Sequence, residues 1–123
     1  MDATIAPQAR SDIVSILAWT ERHFGPQTVK PYGRLIKTAI QEVAADPELP
    51  GSTGRPEICD NCRTYHLFFS REKAGRGSDR IRNPRHFLVY RVTANDAVEI
   101  GRVLHDSMEL EKHLPEEYRS QPE

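Results

Sequence analysis

Residues 84–106, PRHFLVYRVTANDAVEIGRVLHD, decide how this chain folds. Two β-rich runs, 87–93 and 98–104, flank the turn-forming Ala94-Asn95-Asp96. Asn and Asp tolerate positive φ, so between such runs they predict a hairpin. Alternation places Phe87, Val89, Arg91 and Thr93 on one face and Leu88, Tyr90 and Val92 on the other. In the second run Val98, Ile100, Arg102 and Leu104 are expected opposite Glu99, Gly101 and Val103. Arg85, His86, Arg91, Arg102 and His105 lie on or beside both strands. The hairpin is therefore the expected centre of the fold and a candidate centre of function.

Upstream, residues 63–70 alternate Tyr65, Leu67 and Phe69 against His66, Phe68 and Ser70, which predicts a strand. Residues 71–85 are polar, Gly-containing and basic, and are expected to form a long mobile hairpin loop. Residues 48–55 hold one proline and two glycines and read as a connection. Two helices precede it. In the first, Ile13, Ile16, Leu17, Thr20 and Phe24 recur at spacings of three and four, with Asp12 suited to the first turn and Gly25-Pro26 as the stop. The second is expected from Thr28 as N-cap to Ala45, with Pro31 in its first turn and Asp46-Pro47 closing it. Its apolar stripe is Val29, Tyr32, Leu35, Ile36, Ala39, Ile40 and Val43. Ala3-Thr4-Ile5-Ala6 is a short candidate first strand, and residues 109–113 a short helical turn. The expected fold is α+β: an N-terminal helical hairpin packed on an antiparallel sheet of three to four strands. One domain over residues 1–115 and an acidic tail over 116–123 complete the layout.

Composition narrows the class. A chain of 123 residues, 37% apolar and 28% charged, suits one globular domain. It lacks an apolar run long enough for a membrane span, and its first residues lack a signal-peptide pattern. With only two cysteines, a reducing, cytoplasmic setting is expected. Net charge is −1, but residues 63–93 carry eight cations against two acids, and residues 94–123 eight acids against three cations. The basic segment suits either phosphate contacts or a solvated loop.

Several words in order are recognisable. They are Ala9-x-x-Asp12-Ile13-x-x-Ile16, a second helix ending Ala45-Asp46-Pro47, Arg63-Thr64-Tyr65-His66-Leu67, residues 84–91, Glu99-Ile100-x-Arg102-Val103-Leu104-His105-Asp106, and residues 107–115. Together they resemble the RelE/ParE superfamily of toxins from bacterial type II toxin–antitoxin modules, over about residues 9–115, and most closely the ParE branch. The resemblance implies the same α+β fold and a cognate antitoxin that silences the toxin. ParE-like members block DNA gyrase; RelE-like members cut mRNA on the ribosome. It implies no cofactor.

The chemistry of the residues leaves these branches open. RNA cleavage by 2′-hydroxyl attack needs a base, an acid and cations for the phosphorane. Candidates for such a site are His66, His86 and His105 as acid or base, and Arg63, Arg91 and Arg102 as phosphate clamps. Arg91 and Arg102 would grip one phosphate if they faced the same side. Gyrase inhibition asks instead for a binding surface, and a third possibility is a partner-binding module without toxicity. Cys59-x-x-Cys62 with His66 supplies three zinc-type ligands where a structural site needs four, so no metal is expected, with zinc or a reversible disulfide as the alternatives. Trp19, Tyr32, Tyr65 and Phe69 are expected in or beside the core rather than as base-stacking platforms.

Overall fold

A computed structural model describes residues 2–108, 110–115 and 118. The chain runs β1 (Ala3–Ile5), α1 (Pro7–Phe24), α2 (Pro26–Ala45), β2 (Ser52–Gly54), β3 (Cys62–His66), α3 (Arg71–Ala74), β4 (His86–Val92) and β5 (Val98–His105). The strands form one sheet in the order β1-β5-β4-β3-β2. The α+β class and the helical pair on a sheet are as the periodicity predicts. The sheet differs in having five strands and in being mixed, because β1 lies parallel to β5 while the other pairings are antiparallel.

Pro7 opens α1 and Pro26 opens α2, at first-turn positions whose N–H would have no helical partner. Gly25, at φ 87°, is the whole connection between the helices; a side chain there would be strained. Because α2 starts at Pro26, Thr28 is not its N-cap: its hydroxyl donates back to the Phe24 carbonyl. Pro31 consequently lies inside the helix, where it leaves the Gln27 carbonyl without its usual donor.

The helices cover one face of the sheet. Ile16 of α1 and Tyr32, Leu35, Ile36, Ala39 and Val43 of α2 pack on Tyr65, Leu88, Tyr90, Val98, Ile100 and Val103. The opposite face carries Cys62, Val89 and Leu104, covered by Ile58, Leu110, Leu114 and Tyr118. Residues 116, 117 and 119–123 of the expected acidic tail lie outside the described set; Tyr118 is buried, and its hydroxyl donates to the Glu99 carbonyl at 2.9 Å.

Strict alternation along β5 fails at one position. Val89 pairs with Arg102 but Tyr90 pairs with Ile100, so Gly101 is an extra residue in β5. This bulge returns Val103 to the helix-facing core beside Val98 and Ile100. The predicted strand over residues 63–70 also ends early. After His66 the chain turns into a 3-10 turn, Leu67–Ser70, and then α3. Phe68 and Phe69 are exposed. The Ser70 hydroxyl donates to the Glu42 carboxylate and pairs with the Tyr65 hydroxyl at 2.8 Å, anchoring this turn to α2. The expected loop over 71–85 thus contains α3 and a second 3-10 turn, Gly77–Asp79. β2 falls in the stretch read as a connection. Among the described residues, no helix is long and apolar enough to cross a membrane.

Candidate functional site

Three histidines arrive at one end of the sheet because β3 ends, β4 begins and β5 ends there. His86 and His105 are cross-strand partners, and their rings meet edge to face at 5.2 Å. His66 reaches the same end through Asp106, whose Oδ2 accepts from its Nε2 at 3.1 Å. Arg85 donates to both oxygens of that carboxylate, from Nε at 3.0 and 3.1 Å. The Arg85 hydrogen bonds, followed by that of His66, hold the Asp106 carboxyl down to about 2.

Each imidazole has its Nδ1 occupied as an acceptor. His66 Nδ1 accepts the Phe68 amide at 3.0 Å, and His105 Nδ1 accepts the Ser107 amide at 3.1 Å. An amide can only donate, so in this geometry the ring proton of each sits on Nε2. His86 Nδ1 lies 2.6 Å from the Tyr32 hydroxyl, which itself accepts the Arg85 amide at 3.3 Å. Burial pushes Tyr32 up to about 12, so it keeps its proton. Burial, and then His105 beside it, brings His86 down to about 4, so the ring is neutral at pH 7. The hydroxyl proton points to Nδ1, its acceptor among the described residues, and His86 also carries its proton on Nε2. None of the three offers a free basic nitrogen.

The remaining candidates do not join this cluster. Arg91 lies at the other end of β4, opposite Cys62, and four strand positions from Phe87, the partner of His66, which is about 13 Å. Its Nε donates to Glu99 at 2.9 Å and its guanidinium lies over the Tyr118 ring. Arg102 is held by Asp12 at 2.7 and 2.9 Å and by the His113 carbonyl at 2.8 Å. Arg63 donates to the Ser52 hydroxyl at 2.8 Å on the β2 side. Arg91 and Arg102, proposed as one clamp, are thus committed to different carboxylates.

Cys59, Cys62 and His66 do not converge either. Cys62 and His66 occupy opposite ends of β3, about 13 Å apart. Among the described residues no group of three such ligands is close enough to hold a metal ion. Cys62 is buried in the second core, and burial pushes its thiol up to about 12. Cys59 is partly exposed and donates to the Asn61 side chain at 3.3 Å.

A cavity of about 890 Å³ lies between the α1–α2 corner and the histidine end of the sheet. Trp19, Phe24, Arg82, His86 and His105 are among its lining residues. Of the six candidates for acid–base chemistry or phosphate contact, His86 and His105 line it, and His66, Arg63, Arg91 and Arg102 do not. Tyr32 and Tyr65 are buried as expected, but Trp19 is 44% exposed and Phe69 53%. Trp19 lies off the stripe of Ile13, Ile16, Leu17 and Thr20, a signal in the sequence that it faces outward. Asp106 and Tyr32 carried no such signal, because their roles depend on partners 21 and 54 positions away.

Comparison with known proteins agrees with this fold. The family model described as "ParE toxin of type II toxin-antitoxin system, parDE" matches residues 4–110. A protein named Toxin ParE1, from two strains of Mycobacterium tuberculosis, is 29% identical over 110 residues, covering 89% of this chain and 94% of the relative. Toxin ParE1 of Caulobacter vibrioides is 28% identical with the same coverage. With nearly the whole chain matched, from β1 to the segment that follows β5, the protein belongs to the ParE toxin family of type II toxin–antitoxin systems.

Proposed function

We propose that this chain is a growth-inhibiting toxin that acts in the cytoplasm by protein–protein contact, with DNA gyrase as its target, and that a cognate antitoxin encoded beside it neutralises it. The observation that carries a contact mechanism is the state of the three histidines: each has its Nδ1 spent on an amide or on Tyr32. A general base for 2′-hydroxyl attack needs an unprotonated nitrogen facing the substrate. The arginines support the same conclusion, since Arg91 and Arg102 neutralise Glu99 and Asp12 within the fold. Gyrase enters through the family, whose ParE-like members are inhibitors of that enzyme.

Expression alone in a bacterium is expected to arrest growth, and co-expression with the small protein of the neighbouring reading frame to restore it. Undisturbed growth in the presence of soluble, folded protein would reject the toxin function. A His105→Ala, Arg91→Ala variant that stays folded is expected to remain toxic. Loss of toxicity in that variant, with ribosome-bound mRNA cut by the parent, would replace contact with RelE-like nuclease chemistry.

A further inference from the structure

We propose that the cleft between the α1–α2 corner and the histidine end of the sheet binds a nucleoside phosphate, the phosphate held at the histidine floor and the base against the aromatic wall. Its volume of about 890 Å³ is that of a small-molecule site. A standard protein interface instead spreads over about 800 Å² on each partner.

The charged residues that line the cleft are all cations. Arg22, Arg80, Arg82 and Arg85 line it, and no carboxylate is among the lining residues. Arg85 is committed to Asp106, and Arg80 lies 3.7 Å from Glu72. Arg22 and Arg82 are exposed and have no carboxylate partner among the described residues. The buried Nε of Arg80 also has no hydrogen-bond partner there. On the floor, Tyr32 and the Ser107 amide occupy Nδ1 of His86 and His105, and neither Nε2–H has a hydrogen-bond partner among the described residues. Two N–H donors beside guanidinium groups suit phosphate oxygens, which accept.

The other side is flat and apolar. Trp19 is stacked on His23 at 4.1 Å and meets Phe24 edge-on at 5.7 Å, so the indole is fixed at the cleft wall while 44% exposed. Ile81 and Met108 extend that surface. An anion without an apolar part leaves this wall wet, and an uncharged planar molecule leaves the donors unpaired. A nucleoside phosphate satisfies both, since any base can stack on an indole.

Trp19 is the chain's one tryptophan, so its emission reports the site directly. The purified protein is titrated with AMP, GMP and ATP, with adenosine and inorganic phosphate as half-ligands, with a short oligoadenylate, and with an acidic peptide. A saturable change with the nucleotides is expected, with Kd at least about tenfold below that of either half-ligand. Arg82→Gln is expected to weaken nucleotide binding by about tenfold. Trp19→Phe, followed by calorimetry, is expected to weaken it without changing the response to inorganic phosphate. Tighter binding of the oligoadenylate would identify a nucleic-acid end as the source of the nucleotide; tighter binding of ATP or AMP, the free molecule. Absence of saturable signal or heat at millimolar nucleotide would overturn the proposal. So would equal affinity for inorganic phosphate alone, or binding of the acidic peptide with none of the nucleotides. Each of those results leaves the toxin function standing, since the cleft proposal does not rest on it.

Discussion

Asp12 of α1 grips Arg102 of β5 through both carboxylate oxygens and also accepts the Val103 amide at 2.9 Å. β1 pairs with β5 only as far as Ile100, and the Ala6 amide takes the Ile100 carbonyl as the chain leaves the sheet. Beyond that point one carboxylate does what a longer β1 would have done, supplying the acceptor for an edge amide. The same contact ties the helical pair to the sheet. The Asp12 hydrogen bonds also raise the Arg102 guanidinium above its ordinary value.

Asp12→Ala should therefore cost more than a surface ion pair. Both side chains are largely buried, and removing the carboxylate leaves Arg102 without its counter-charge, held only by the His113 carbonyl, and the Val103 amide without its acceptor. A loss of about 3 kcal/mol is expected from urea denaturation. Arg102→Ala together with Asp12→Ala should lose less than the sum of the single changes. Strict additivity would mean that the contact is decorative.

Gly101→Ala tests the bulge. A Cβ there would lie 2.7 Å from the Tyr118 ring and 2.8 Å from Pro115. The variant should lose about 2 kcal/mol by overpacking, and Tyr118→Ala about 3 kcal/mol by leaving a cavity. In the double variant the clash with Tyr118 is gone and that with Pro115 remains, so Gly101→Ala should then cost less than it does in the parent. A full additional loss would place the Gly101 requirement in the Pro115 contact or the backbone rather than in the Tyr118 contact.

Stability should fall as the solution is acidified, in two windows. The folded His86 value, about 4, lies below the ordinary 6.5, so the unfolded chain takes up a proton that the folded one refuses. Its stabilisation is complete above pH 6.5 and disappears as pH drops to about 4, amounting to about 2 kcal/mol once solvent screening of the partly exposed ring is allowed for. Asp106, held at about 2 against 3.8, adds a second loss between those values, reduced by solvent screening to about 1 kcal/mol. Urea midpoints between pH 7 and 4 measure the first window. His86→Gln should flatten it, and an unchanged slope in that variant would remove His86 as the cause.

The Cys59/Cys62 pair offers a test by metal. With Cys62 and His66 at opposite ends of β3, chelation of the purified, reduced protein should leave its melting temperature unchanged. Stoichiometric zinc, with a fall in melting temperature on chelation, would contradict the described geometry.

Much of the fold was legible because period and punctuation agree. The stripe of Tyr32, Leu35, Ile36, Ala39 and Val43 reads as a helix face, and Asn95-Asp96 as the turn between β4 and β5, where Asp96 adopts φ 57°. What escaped depends on neighbours distant in sequence. Tyr65, Leu67 and Phe69 alternate as a strand would, yet Ser70 bonds to Glu42 and Tyr65 and turns the chain after His66. Gly101 alone does not announce a bulge; the Tyr118 ring that needs its missing side chain lies 17 positions on. Among the site candidates, residue type suggested acid–base chemistry, whereas the amides on His66 and His105 leave both rings as donors. Hydrogen-bond direction is not written in a residue's name.

Inhibition of gyrase by contact, as proposed, is measured by the supercoiling of relaxed plasmid by purified gyrase. Added folded protein should reduce supercoiling in a dose-dependent way, and a His66→Ala, His105→Ala variant should reduce it equally. Undiminished supercoiling at large excess, from protein that still arrests growth when expressed, would contradict it.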